Sequence, residues 1–169
     1  MESQLENKKI LWVEDEALVE LQYLYAPVVV AGFDLHLATN ASQAVALLRL
    51  QRFSALVVDI RIPPGDDPLW QRKYYRHNAD PAAARLGLHL LESLLLPHRV
   101  LELPGPEDFS WLSGTQCAAF SVDVENKGNE ELKKRGVIFE VKGPHLPADF
   151  LLGLIQRILL GQSKAKSNV

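Results

Sequence analysis

The chain has one cysteine, Cys117, so no internal disulfide can form, and a reducing compartment is the simple expectation. It has no excess of positive charge. Its 18 Lys and Arg stand against 21 Asp and Glu, a formal net charge of −3, far from the basic footprint of a general DNA binder. No apolar run approaches the roughly 20 residues that span a bilayer. The opening MESQLENKK is too polar for a secretory signal, so a cytoplasmic protein without membrane attachment is expected. There is no repeat of solenoid length. The five histidines, at positions 36, 77, 89, 98 and 145, show no paired spacing of the kind that holds zinc, and they read as surface residues. What is present is an ordinary globular balance, 47% hydrophobic and 23% charged over 169 residues. That is one domain, able to bury roughly 70% of its unfolded surface without disulfide or metal.

Short apolar runs alternate with longer amphipathic segments, the signature of a βα-alternating chain with a parallel sheet. The runs at 9–13 (KILWV), 55–60 (ALVVDI) and 116–122 (QCAAFSV) are nearly continuous, as in strands buried on both faces. Those at 33–38 and 137–141 alternate apolar with polar residues, as in half-exposed strands. Buried strands belong at the centre and alternating ones at the edges. The expected architecture is therefore α/β, a flavodoxin-like three-layer sandwich on a five-stranded parallel sheet of order 2-1-3-4-5. Helices are predicted near 17–31 (with a kink or break at Pro27, closed by Gly32), from Asn40 as N-cap, near 86–96, near 129–135, and at about 148–160. Gly161 is expected to end the last of these and leave 162–169 as a disordered tail. The domain spans 8–161, with insertions at about 64–86 and 97–114.

In such a sheet the site lies beyond the carboxyl ends of the strands, at the switch point between strands one and three. Glu14 and Asp15 follow strand one and Asp59 ends strand three, so three carboxylates should meet there. Their repulsion invites a cation, and an all-oxygen donor set favours Mg²⁺. Ser121 closes the fourth strand and Lys142 the fifth, adding a hydroxyl and an ammonium. A carboxylate beside Mg²⁺ and lysine can attack a phosphoryl group, because the cations neutralise the charge gathering on the transferred oxygens.

The strings ILWVEDE and LVVDIRIP, with Ser121 and Lys142, resemble a response-regulator receiver domain of two-component signalling. The separations of 44 positions from Asp15 to Asp59 and 21 from Ser121 to Lys142 suit that family. The resemblance implies that Asp59 is the phosphoacceptor, and that Glu14 and Asp15 hold Mg²⁺ with Asp59 and the backbone carbonyl of Arg61. It implies further that Ser121 bonds the phosphoryl oxygen on activation, that Lys142 pairs with the phosphoryl group, and that Phe139 is the aromatic switch residue. The expected partners are a histidine kinase or phosphotransfer protein upstream and an unidentified protein downstream, with a homodimer as a secondary expectation. The interval from Asp59 to Ser121 is about twice the family's usual one, and Lys142-Gly143-Pro144 stands where the family has Lys-Pro.

Two other readings fit the acidic cluster. A pseudo-receiver would bind partners without phosphorylation. A Mg²⁺-dependent phosphohydrolase would use an aspartate nucleophile, but the position two after Asp59, where such enzymes want a general acid, is Arg61. A phosphoacceptor rather than an enzyme is expected. Within the first insertion, Trp70, Tyr74 and Tyr75 stand among Arg72, Lys73 and Arg76. Aromatic and basic groups together read as a partner-docking flap whose order follows phosphorylation, in preference to a nucleic-acid surface.

Overall fold

The apolar runs become the central strands of the sheet. The computed structural model describes residues 7–76, 84–96, 103, 109–122 and 130–167. Strands β1 (Lys9–Val13), β2 (Asp34–Ala38), β3 (Ala55–Val58), β4 (Cys117–Ser121) and β5 (Ile138–Val141) form one sheet of order β2-β1-β3-β4-β5, with every pair parallel. β3 is buried at every position, whereas β5 is only half-buried, as its alternating pattern requires of an edge.

Because successive side chains leave opposite faces of a strand, the central strands feed two cores. Leu11, Val13, Leu56, Val58, Cys117 and Ala119 point into one, which is covered by α2 (Ala41–Leu50), α3 (Pro68–Tyr75), α4 (Leu86–Leu95) and α5 (Glu130–Lys134). Ile10, Trp12, Ala55, Val57, Ala118 and Phe120 point into the other, beneath α1 (Tyr25–Val30) and α6 (Phe150–Ser167). The result is the expected three-layer sandwich.

Local sequence explains the helix starts. Asn40 Oδ1 accepts from the Gln43 N–H at 2.9 Å, and Gln43 reaches back to the Thr39 N–H at 2.9 Å, one residue earlier than a standard capping box. Two expectations need correction. The helix foreseen over 17–31 forms only over Tyr25–Val30, preceded by turns and a short 3₁₀ segment at Gln22–Leu24. Pro27 is the reason: it lacks an N–H and would clash with a preceding helical turn, but fits within the first turn. Gly32 does follow the helix end, with φ of 88°. The last helix does not stop at Gly161 but continues to Ser167, so 162–169 is not a disordered tail over its described part. The side chain of Gln162 donates to the carbonyl of Ser54 at 3.0 Å and ties the extra turn to the sheet, which offsets glycine's helix penalty of about 1 kcal/mol. The first insertion opens without a helix continuous from β3, as expected, and then forms a helix, α3, with Asp67 as N-cap accepting from the Leu69 N–H and Pro68 in the first turn. Much of the second insertion, at 97–102 and 104–108, lies outside the described residues. No described helix is long and apolar enough to cross a membrane.

Candidate functional site

Strand pairing carries the acidic residues together. The Glu14 N–H donates to Ala38 and the Asp59 N–H to Val13 at 2.8 Å, so both residues extend the parallel ladder by one step past the strand ends. Glu14 is fully buried and Asp59 is 6% exposed, while Asp15 is exposed at the rim. One carboxylate oxygen from each of the three lies within 4.8 Å of the others. Among the described residues these are the groups able to hold a metal ion.

Lys142 enters from the loop after β5. Its ammonium donates to Asp59 Oδ2 at 3.0 Å and pairs with Glu14 Oε2. It also sits 5.3 Å from the centre of the Phe120 ring, which stacks on Phe150. The other oxygen of Asp59, Oδ1, accepts from the Arg61 N–H at 3.3 Å. Glu14 Oε1 likewise accepts from the Glu16 N–H.

The electrostatics show a deficit of positive charge. Burial pushes the Glu14 carboxyl up to about 8; the charge of Asp59 adds to this, and Lys142 pulls against it. Burial opposes the Lys142 ammonium, but Asp59 and Glu14 outweigh it and hold its pKa above the usual lysine value. Three carboxylates face one ammonium. A divalent cation would balance the remainder, and hard oxygen donors suit Mg²⁺.

The other predicted positions fall as follows. Ser121 is the last residue of β4, in register with Val141, and Phe139 is in register with Ala119 two residues below. Phe139 is half-buried against the first core, with Lys133 5.7 Å from its ring centre. Trp70, expected as a docking residue, is fully buried in the core and is no part of a surface. Its helix turns it inward together with Tyr74, four residues on, and only Tyr75 is exposed, at 61%. Two residues escaped the sequence reading. Phe120 gave no signal beyond being apolar. Gly87 was legible as a glycine inside a leucine-rich helix, and it is where α4 meets the backbone of Asp59: a Cβ there would stand 1.8 Å from the Asp59 carbonyl oxygen.

No family model and no curated protein matches the sequence. Solved structures are similar in fold. A CheY-like response-regulator receiver domain from Methanospirillum hungatei aligns with a TM-score of 0.57 at 16% identity, over 94% of this chain and 99% of its own. A response regulator from Thermotoga maritima gives 0.56 at 16% identity, over 91% and 98%. The receiver domain of a sensor histidine kinase from Pseudomonas aeruginosa, with a magnesium ion coordinated in its active-site cleft, gives 0.51 at 18% identity, over 90% and 98%. With the sheet order and the acidic switch point already described, the fold of this chain is that of the response-regulator receiver domains.

Proposed function

We propose that the chain is a phosphorelay switch that accepts a phosphoryl group on Asp59 in a Mg²⁺-dependent reaction. One observation carries this reading: a buried aspartate at a strand end, bonded to a lysine, beside two further carboxylates at the switch point of a parallel sheet. Glu14, Asp15, Asp59 and the carbonyl of Arg61 would hold the ion, which supplies charge neutralisation on the phosphoryl oxygens. An Asp59 carboxylate oxygen attacks phosphorus. The O–P bond forms as the P–N bond of a phosphorylated histidine breaks, and the imidazole leaves. Lys142, already on Asp59 Oδ2, pairs with the charge delivered to that side chain. Ser121, at the adjacent strand end, supplies the hydroxyl for the phosphoryl oxygen, and Phe139 is the residue that repacks.

The phosphoryl donor is a histidine kinase or a phosphotransfer protein, and output proceeds by protein contacts. The product is the modified chain itself, so the chain acts as an acceptor rather than a turnover enzyme. A phosphohydrolase would need a general acid where Arg61 stands. The test is incubation with acetyl phosphate and intact-mass measurement, with and without Mg²⁺. One phosphoryl group should be gained, and lost on chelation and in Asp59→Asn. Labelling that persists in Asp59→Asn would overturn the assignment.

A further inference from the structure

The helix α3, inserted between Asp59 and α4, is fastened on its inner side by hydrogen bonds and packing. Ser42 Oγ donates to the Pro64 carbonyl at 2.6 Å and accepts from the Asp67 N–H at 3.0 Å. The Ala41 and Ser42 N–H groups donate to the Pro63 and Pro64 carbonyls, and Gln71 Nε2 donates to the Gly65 carbonyl at 3.0 Å. Trp70 is fully buried and Tyr74 packs on the same core.

Its outer side is exposed and basic. Pro68, Arg72, Tyr75 and Arg76 recur at helical spacing and are all exposed. With Gln71 they line an open groove of about 570 Å³. Among the described residues no carboxylate lines that groove. The positive charge is poorly compensated on the helix itself. Burial and the neighbouring Arg76 both lower the pKa of Lys73, and only Glu92, on α4 and already bonded to His89 at 3.1 Å, acts against them.

We propose that this outer face of α3 is a docking surface for an acidic segment of a partner protein. Two arginines one turn apart suit carboxylates, which they bind in bidentate fashion. Tyr75 between them, with Pro68 beside it, offers an aromatic anchor for an apolar residue of the same segment. A nucleic acid fits less well: its binding grows with the number of phosphates neutralised, and here a few cations on a short helix belong to a chain of net charge −3. The surface does not depend on the phosphorylation of Asp59 and goes beyond it.

The test is fluorescence anisotropy at about 0.15 M salt with a labelled short peptide of alternating glutamate and leucine. Its glutamine counterpart and a labelled oligothymidylate serve as comparisons. The glutamate peptide should bind, and the glutamine peptide should not. Arg72→Ala/Arg76→Ala and, separately, Tyr75→Ala should each weaken binding by about tenfold, or 1.4 kcal/mol. Arg52→Ala/Lys134→Ala, which removes two exposed cations that do not line the groove, should change nothing. The altered side chains are exposed, so circular dichroism should find all variants folded. Absence of peptide binding, binding indifferent to Arg72, Tyr75 and Arg76, or tighter binding of the oligothymidylate at the same residues would each overturn the proposal.

Discussion

Gly87→Ala tests whether the closeness of α4 to the acceptor strand is built into the fold. The added methyl carbon would stand 1.8 Å from the Asp59 carbonyl oxygen, 2.8 Å from its carbonyl carbon and 2.9 Å from Ile60 Cα, all backbone atoms without a rotamer to change. Ordinary contact requires the helix and strand end to part by roughly 1.5 Å. That strains the Gly87 N–H bond to the Ile60 carbonyl, now 3.0 Å. Overpacking of this kind costs about 1–3 kcal/mol and a lost hydrogen bond about 1, against a gain of about 1 from alanine's helix propensity. The net loss of roughly 1–3 kcal/mol corresponds to about 3–10 °C in Tm for a domain of this size. Asp59 should move with its carbonyl, so phosphorylation by acetyl phosphate should slow beyond what instability explains at a temperature where the variant is folded. Gly153→Ala is the control, because a Cβ there meets nothing within 4 Å. Its Tm should hold or rise. Equal melting of Gly87→Ala and the parent, or an unchanged phosphorylation rate, would refute the reasoning.

Trp70→Ala should destabilise by about 3–5 kcal/mol in denaturant melts, because it empties a fully buried site; a loss under 1 kcal/mol would return the tryptophan to the surface. Asp15→Ala should weaken Mg²⁺ binding, measured by titration, by about tenfold or more, and Glu14→Ala by less, since the buried Glu14 carboxylate is engaged by Lys142. The Glu14 carboxyl, raised to about 8, contributes stability that is full below the ordinary carboxylate range and lost as pH rises through about 8. Without Mg²⁺ the Tm should therefore fall from pH 5 to 8, with a flatter profile in Glu14→Gln and the largest Mg²⁺-dependent gain at the alkaline end. A profile identical in parent and Glu14→Gln would dismiss Glu14 as the titrating group.

The architecture was legible because burial on two faces leaves a continuous apolar run, and β1, β3 and β4 carry such runs whereas β2 and β5 alternate. The acidic trio was legible because Glu14, Asp15 and Asp59 interrupt those runs at their carboxyl ends, where a parallel sheet gathers its strand termini. The orientation of α3 was misread because the reading weighed its composition, rich in aromatic and basic residues, and not its period. The four-residue step from Trp70 to Tyr74 puts both on one side, with Arg72 and Arg76 on the other. The break before Pro27 followed from local sterics, but the run of α6 past Gly161 depends on the bond from Gln162 to the Ser54 carbonyl, between residues 108 positions apart. The seat of Lys142 over Phe120 is likewise tertiary and no local pattern announces it, whereas the approach of α4 to Asp59 leaves a trace in the glycine at 87.

The most direct measurement of the central claim is site localisation of the phosphoryl group. Trypsin releases residues 53–61, FSALVVDIR, in which Asp59 is the only carboxylate of the side chains. After treatment with acetyl phosphate and Mg²⁺, borohydride reduction of the acyl phosphate should convert Asp59 in this peptide to homoserine, as read by tandem mass spectrometry, and omission of Mg²⁺ should prevent it. A phosphoryl group found on Ser54 or in another peptide, or an unmodified 53–61 peptide from a labelled chain, would contradict the account.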